Sequence, residues 1–399
     1  MSIHVSLSPR RLLFWIHIWI GLAFCLPFAL LGITGSILVY EQPINALLAP
    51  IPAATAAGTI ASPQAIIDAA VNTRSDLAAT SLSLPQASGE PAVVRLTLRG
   101  AGRGARGPNY QAFVDPVSLQ VLDVREGARS AFMGWVHDFH GSLLLGGPTG
   151  RPLIGWMGVG MLALGLSGIV LWWPKQNRWR DAYGIKKGAR GWLFHRQLHG
   201  TVGITAWLLF IVLSFSGIAI AFPQTTGALV RGALLEGTSQ MAPATGPGAQ
   251  GVRVKRVDGV QRIDASRALA VATAAAPNAR LVTMFLPNGR EQPFRLFLLP
   301  ESAAQGSPMT TVLVDPYRAE AINVRDPWAG DLGDVVMNWQ RPLHTGRGTN
   351  DIYRAAIFLV GLLPLLFAVT GVAMWWNKRR TRAVVSSRGH KVPQGVAAE

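Results

Sequence analysis

Leu193-Phe194-His195-Arg196-Gln197-Leu198-His199-Gly200-Thr201-Val202-Gly203 opens a stretch that runs, largely apolar, through Trp207, Phe210, Ser216 and Gly217 to Phe222. A helix needs roughly 20 apolar residues to cross a bilayer, and this run is long enough. It nevertheless carries two histidines one turn apart at its basic end. An ionisable side chain at the edge of a span is costly, so it is a functional-site candidate by default. The pattern also recurs. His17 is followed by Gly21 and Gly35, and His199 by Gly203 and Gly217, with gaps of four and eighteen residues in both copies. A matched pair inside two apolar spans points to duplication.

Working outward, three further apolar runs qualify, so the spans lie at about Leu12–Tyr40, Pro152–Trp173, Trp192–Phe222 and Ile352–Trp376. With 49% hydrophobic residues and a mean hydropathy of +0.28, the 399-residue chain reads as an integral membrane protein. The first run is too long for a signal peptide and has no Ala-x-Ala site after a short apolar core, so it is expected to be retained.

The net charge of +16 would suit a nucleic-acid binder, but its placement argues for topology instead. Arg10 and Arg11 precede the first span. Lys175, Arg178, Arg180, Lys186, Lys187, Arg190 and Arg196 crowd the short link between the second and third. Lys378, Arg379, Arg380 and Arg382 follow the fourth. By the positive-inside rule these segments and both termini are cytoplasmic, and the two long connections face outward. Basic residues in those connections (Arg95, Arg99, Arg103, Arg106; Arg253, Lys255, Arg256, Arg262) suit either an anionic ligand or a solvated face. Cys25 is the single cysteine, so there is no disulfide framework.

The outer segments repeat one order of elements. In the first, a Pro/Ala/Gly linker (Pro50–Gly58) and Ser62-Pro63, an N-cap followed by a first-turn proline, lead into a helix over Gln64–Asn72. Strands are expected at Val93–Leu98, Gln111–Val114 and Leu119–Val124, with a Gly/Arg loop at Gly100–Pro108. In the second, a linker (Pro243–Gly251) leads to a helix at Asp264–Ala275 and strands at Arg280–Leu286, Phe294–Leu299, Thr310–Val314 and Ala319–Val324. Val114-Asp115-Pro116 with Val124-Arg125 matches Val314-Asp315-Pro316 with Val324-Arg325 at identical spacing. Each segment is expected to be a small α+β module, a helix on a curled antiparallel sheet. Past the modules, Trp135 and His140 match Trp339 and His344. Gly168 with Trp172-Trp173 matches Gly371 with Trp375-Trp376, and the Trp pairs are read as interfacial anchors. The fold class is therefore a membrane α-helical protein of four transmembrane helices with two α+β outer modules and an internal parallel two-fold repeat. Its segments are 1–40 (tail and first span), 41–150 (first module), 151–174 (second span) and 175–191 (basic loop). They continue with 192–222 (third span), 223–350 (second module), 351–376 (fourth span) and 377–399 (basic tail).

Among eight histidines, His4 and His390 lie in the tails. His17 and His199 are repeat-related and sit near the inner ends of their spans. His140 and His344 are repeat-related and precede the second and fourth spans at the outer face. Four imidazoles, two per face, are what two bis-histidine b-type haems require, and Gly21, Gly200 and Gly203 would leave room for a flat macrocycle. The absence of a Cys-x-x-Cys-His run excludes covalent c-type haem. Interfacial contact with lipid headgroups and zinc are the other readings of these side chains. His195-Arg196-Gln197-Leu198-His199 has zincin spacing but no glutamate. The matched pairs favour haem. His137 and His195 have no counterpart in the other half, where Arg341 and Leu13 stand, and are weaker candidates.

At His17…Gly21…Thr34-Gly35, His140-Gly141…Gly168…Leu171-Trp172-Trp173, Leu198-His199…Gly203…Ser216-Gly217 and His344-Thr345-Gly346…Thr370-Gly371…Trp375-Trp376 the chain resembles the PepSY-associated transmembrane family. That group contains iron-regulated membrane proteins and bacterial ferric-siderophore reductases. The resemblance covers almost the whole chain. It implies a multi-pass protein of a Gram-negative inner membrane with PepSY-like periplasmic modules. It also implies two bound haem b groups that pass electrons outward to ferric siderophore. On this reading an inner haem on His17 and His199 accepts electrons from a cytoplasmic or quinol donor, and an outer haem on His140 and His344 delivers them. No dinucleotide or Walker motif supplies a donor within the chain. The contrasting expectation is a non-redox binding or regulatory protein whose PepSY-like modules act on a periplasmic partner.

Overall fold

The computed structural model describes residues 8–99, 109–127, 129–174, 179–234 and 252–389. The Gly100–Pro108 loop, the Pro243–Gly251 linker, Lys175, Arg178, Arg103, Arg106, His4 and His390 lie outside them.

The chain starts with α1 (Pro9–Ala23), α2 (Cys25–Val39) and α3 (Glu41–Leu48). The first span expected over Leu12–Tyr40 is not one helix: α1 and α2 meet at a bend of 68°. Pro27 explains where it breaks. It has no N–H for the carbonyl of Ala23, four residues earlier, and its ring would clash there. The helix therefore stops at Ala23 and restarts with Pro27 in its first turn. There follow α4 (Pro63–Asn72), β1 (Leu77–Ser83), β2 (Ala92–Leu98), β3 (Asn109–Val114), β4 (Val121–Glu126) and α5 (Ala131–Ser142). Next come α6 (Gly147–Trp172), the single turn α7 (Trp179–Ala182), α8 (Gly191–Ala221), α9 (Pro223–Ala233) and α10 (Ala265–Ala275). The remainder is β5 (Ala279–Phe285), β6 (Phe294–Pro300), β7 (Thr310–Asp315), β8 (Glu320–Arg325), α11 (Leu332–Thr345) and α12 (Asp351–Gly389). Helices α6, α8 and the Asp351–Thr381 part of α12 are each long and apolar enough to cross a membrane. The α1–α2 pair makes a fourth if it is counted as one bent span.

Small residues bring these helices together, as expected where lipid offers no hydrophobic drive between them. A Cβ on Gly32 of α2 would lie 2.3 Å from the Gly361 carbonyl oxygen of α12. One turn on, the Ser36 hydroxyl donates to the Phe358 carbonyl of α12 at 2.8 Å. A second pair of contacts is alike in the two halves: Arg151 of α6 donates to the carbonyl of Ile220 on α8, and Arg354 of α12 donates to that of Val39 on α2.

Among the described residues eight strands form one antiparallel sheet in the order β4-β3-β2-β1-β5-β6-β7-β8. Two separate curled sheets were expected, but β1 and β5 pair at Ser81↔Phe285, Leu82↔Met284 and Ser83↔Thr283, and a 2.9 Å bond joins the hydroxyls of Ser83 and Thr283. One apolar core runs through both halves, with Ile66, Leu82, Leu96, Ala268, Met284 and Leu296 fully buried against each other. The joining strand β1 was not anticipated. Leu77-Ala-Ala-Thr-Ser-Leu-Ser83 is short of β-branched residues, and a bulge between Ala79 and Ser81 disrupts its alternation. An open sheet with free edges is not stable in hydrocarbon, so this layer lies outside the bilayer.

The two Val-Asp-Pro turns are built alike. Asp115 accepts from the backbone N–H groups of Val117, Ser118, Thr55 and Ala56, and Asp315 from those of Tyr317 and Arg318. Leu119 and Ala319, expected to begin strands, instead hold left-handed turn conformations at φ 64° and 55°. The segments that carry His140 and His344 are helices. Ser130 caps α5 by accepting from the N–H of Met133, and Asp331 caps α11 by accepting from that of Asp334.

Candidate functional site

The four repeat-related histidines form two facing pairs. The rings of His17 on α1 and His199 on α8 have centroids 6.3 Å apart, and those of His140 on α5 and His344 on α11 lie 6.1 Å apart. His140 and His344 precede α6 and α12, as expected, and are partly buried because α5 folds back against α2 and α11 against α8. Eighteen residues of continuous helix α8 separate His199 from Gly217, which lies beside His344, so the pairs stand about 27 Å apart along that axis.

Each imidazole is held through Nδ1 by a different helix of its own half. His17 Nδ1 lies 2.9 Å from Ser167 Oγ on α6, and His199 Nδ1 lies 2.8 Å from Thr370 Oγ1 on α12. Both hydroxyls donate their own hydrogen to the carbonyl four residues back, at 2.7 Å to Ala163 and 2.8 Å to Leu366, so they accept from Nδ1–H. His140 Nδ1 donates to the Leu31 carbonyl at 3.1 Å and lies 3.3 Å from Thr34 Oγ1. His344 Nδ1 donates to the Leu213 carbonyl at 3.1 Å and lies 3.0 Å from Ser216 Oγ. A carbonyl can only accept, so the proton sits on Nδ1 and the lone pair on Nε2 in all four rings. That is the tautomer a metal ligand needs, set by a neighbour that also raises its basicity. Burial, with the neighbouring charges of His344 and His137 adding to it, lowers the pKa of His140. Burial first, then Arg341, lowers that of His344, so both shifts disfavour the charged imidazole.

The hydroxyl partners Ser167, Thr34, Ser216 and Thr370 were not assigned a role from sequence. Each stands directly before a glycine, in Ser167-Gly168, Thr34-Gly35, Ser216-Gly217 and Thr370-Gly371. A four-fold hydroxyl–glycine dipeptide was the available signal. Three of these glycines admit the ring itself. A Cβ on Gly35 would lie 2.8 Å from Cε1 of His140, one on Gly217 3.2 Å from Cε1 of His344, and one on Gly168 3.6 Å from Cε1 of His17. The eighteen-residue gap thus has a meaning: each long motif carries an inner histidine at one end and a seat for an outer histidine at the other.

His17 and His199 face a cavity of about 1160 Å³ that Gly21, Gly168, Gly200, Gly203 and Gly371 help to keep open. Phe367 packs on His199 with centroids 4.8 Å apart. The cavity ends among Arg10, Arg11, Lys186, Arg196 and Lys378. Trp172, Trp173 and Trp375 also line the cavity, and Trp173 and Trp376 are largely exposed. His195 and His137 join neither pair. His195 packs on Phe194, and His137 is partly exposed and contacts Asp138 at 3.3 Å. Among the described residues no group of three or more His, Cys, Asp or Glu side chains could hold a metal ion, so the imidazoles come as pairs.

Fold and site together define a multi-pass membrane protein in which apolar helices hold two facing imidazole pairs and carry an antiparallel sheet outside the bilayer. A family model described as the PepSY-associated TM region matches residues 14–378, and the chain belongs to that family. No curated protein matches it.

Proposed function

We propose that this protein carries electrons across a bacterial inner membrane by means of two b-type haems and delivers them to ferric iron chelated by a siderophore in the periplasm. His17 and His199 would hold one haem near the cytoplasmic face, and His140 and His344 the other near the outer face. The facing of the four imidazoles in two pairs carries this reading. Two imidazoles that shared one metal ion from opposite sides at about 2.0 Å, with each ring centre roughly 1.1 Å beyond its nitrogen, would stand about 6.2 Å apart. The observed 6.3 and 6.1 Å fit that spacing, as do the Nδ1–H tautomers and the glycine-lined cavity. Bound haem supplies a one-electron Fe(III)/Fe(II) couple whose potential follows ligand hydrogen bonding and burial.

The protein's own residues orient the ligands, clear the space and exclude water. Ser167 and Thr370 fix the inner rings; the Leu31 and Leu213 carbonyls, with Thr34 and Ser216, fix the outer ones. The basic residues at the cavity mouth support a cytoplasmic location for that end, with both termini and the 175–191 link. Segments 41–150 and 223–350 are then periplasmic, each a PepSY-like module and each half of a parallel repeat. The electron comes from a cytoplasmic or quinol donor. In the periplasm one electron reduces one chelated Fe(III) to Fe(II), which binds hard oxygen donors more weakly and is released.

The test is an absorbance spectrum of the detergent-purified protein, oxidised and dithionite-reduced, with pyridine-haemochrome quantitation. Four paired histidines lead us to expect about two b-type haems per chain, and anaerobic reoxidation when ferric siderophore is added. A protein that is colourless and takes up no haem on reconstitution would overturn the reading in favour of a non-redox binding role for the sheet.

A further inference from the structure

Beside the outer imidazole pair lies a group of arginines that the electron path does not use. Glu41, at the start of α3, gives one carboxylate oxygen to Arg129 and the other, at 2.9 Å, to Arg347. Arg341 of α11 is exposed and lies within Coulombic reach of Arg129, Arg151 and Arg347, with Glu41 as the opposing charge, and among the described residues its guanidinium has no hydrogen-bond or ion-pair partner. Arg129 and Arg347 thus engage both oxygens of Glu41, and Arg151 donates to the Ile220 carbonyl, which leaves the Arg341 guanidinium without a carboxylate of its own. Arg341 also precedes His344 by three residues, which puts both on one side of α11. Duplication does not demand an arginine here, because His137 occupies the equivalent place in the other half. The sheet reaches the same spot: a Cβ on Gly306, in the turn after β6, would lie 2.7 Å from Cβ of Arg347. The cluster thus lies against the sheet as well as the membrane helices.

We propose that Arg341, with Arg129, Arg151 and Arg347 around it, docks the free carboxylates of an anionic ferric chelate and holds it beside the outer imidazole pair. The choice of a ferric chelate rests on the electron-transfer reading above. Guanidinium binds carboxylate through two parallel N–H···O bonds, and an arriving anion would relieve the repulsion among the four cations. The same oxyanion chemistry is available from an outer-leaflet lipid phosphate or from the carboxylates of a resident haem, so the test separates the three.

Full-length protein in phosphatidylcholine nanodiscs would be titrated with ferric citrate and, separately, with a neutral ferric trihydroxamate. Arg341→Gln should weaken ferric citrate binding by about tenfold or more, with trihydroxamate binding and haem content unchanged, and Arg341→Lys should fall between. Citrate affinity equal to wild type in Arg341→Gln would overturn the proposal. Loss of haem from Arg341→Gln would overturn it in favour of the resident group, and abolition of wild-type citrate binding by phosphatidylglycerol in favour of lipid. Should Arg341→Gln fail to purify, Arg341→Lys and Arg347→Gln make the same comparison. Binding requires no electron, so this test can fail while the haem spectrum stands, and it can be run on a colourless protein.

Discussion

The inner and outer imidazole pairs have nearly equal ring separations and reach them by different means. The inner histidines sit on long apolar helices, are oriented by side-chain hydroxyls and face an open cavity. The outer histidines sit on short helices, are oriented by backbone carbonyls as well, and press into notches left by Gly35 and Gly217. The inner site is thus defined mainly by space left empty, and the outer site mainly by space filled. Substitutions that add atoms should therefore damage the outer pair more, and those that remove a hydrogen bond should register more clearly at the inner one.

The strongest way to break the comparison is to remove one ligand from each pair. His199→Ala and His344→Ala should each reduce pyridine-haemochrome from about two haems per chain to about one. The surviving haem should differ spectroscopically between the variants, and identical residual spectra would mean the pairs do not act as separate sites. Adding one methyl group comes next. Gly35→Ala places a Cβ 2.8 Å from the His140 ring and should cost about 1–3 kcal/mol at the outer pair, seen as loss of outer-site absorbance. Gly168→Ala meets His17 at an ordinary 3.6 Å and should change inner-site occupancy by no more than about 0.5 kcal/mol.

Acid should separate the sheet from both pairs. Asp115 is lowered from its ordinary 3.8 to about 2, chiefly by the backbone N–H groups of Ser118 and Ala56. A carboxylate with a depressed folded-state pKa stabilises above its unfolded value and loses that contribution as pH falls through the folded one. Sheet stability, followed by far-ultraviolet dichroism, should therefore drop between about pH 4 and pH 2, and Asp115→Asn should flatten that drop while leaving haem content at neutral pH unchanged. The smallest effect sharpens the inner site. Ser167→Ala and Thr370→Val each remove an Nδ1–H acceptor, which makes the ligand less basic and favours Fe(II). The inner midpoint potential should rise by roughly a few tens of millivolts, the scale of one net hydrogen bond of about 1 kcal/mol, and the outer one should stay in place.

Much of the site was legible because duplication writes the same residues twice. Single His-Gly spacings carry little information, whereas His17/His199 and His140/His344 recur in matching apolar contexts, and that recurrence alone singled out the residues the fold later pairs. The hydroxyl partners were harder to read because serine and threonine in an apolar helix usually bond to their own backbone. Ser167 and Thr370 do so here, and their second role depends on which helix lies beside them. Helices α5 and α11 escaped notice because each is short and its apolar positions answer to α2 and α8 in one half of the contact and to solvent in the other. The strand β1 escaped because its small residues gain their place only by pairing with β5, some two hundred residues away.

The sequence alone determined the long apolar helices, most of the strands and turns, and which four histidines the fold brings together in pairs. These follow from local hydropathy, charge, turn chemistry and repetition, which need no knowledge of neighbours. Only the tertiary structure decided that the two modules share one sheet, that the first span bends at Ala23, and that each histidine is fixed by a hydroxyl–glycine step on another helix. It also decided the ring separations near 6 Å. Each of these depends on contacts between residues far apart in the chain, where close packing and hydrogen-bond geometry select one arrangement from many that the sequence pattern allows.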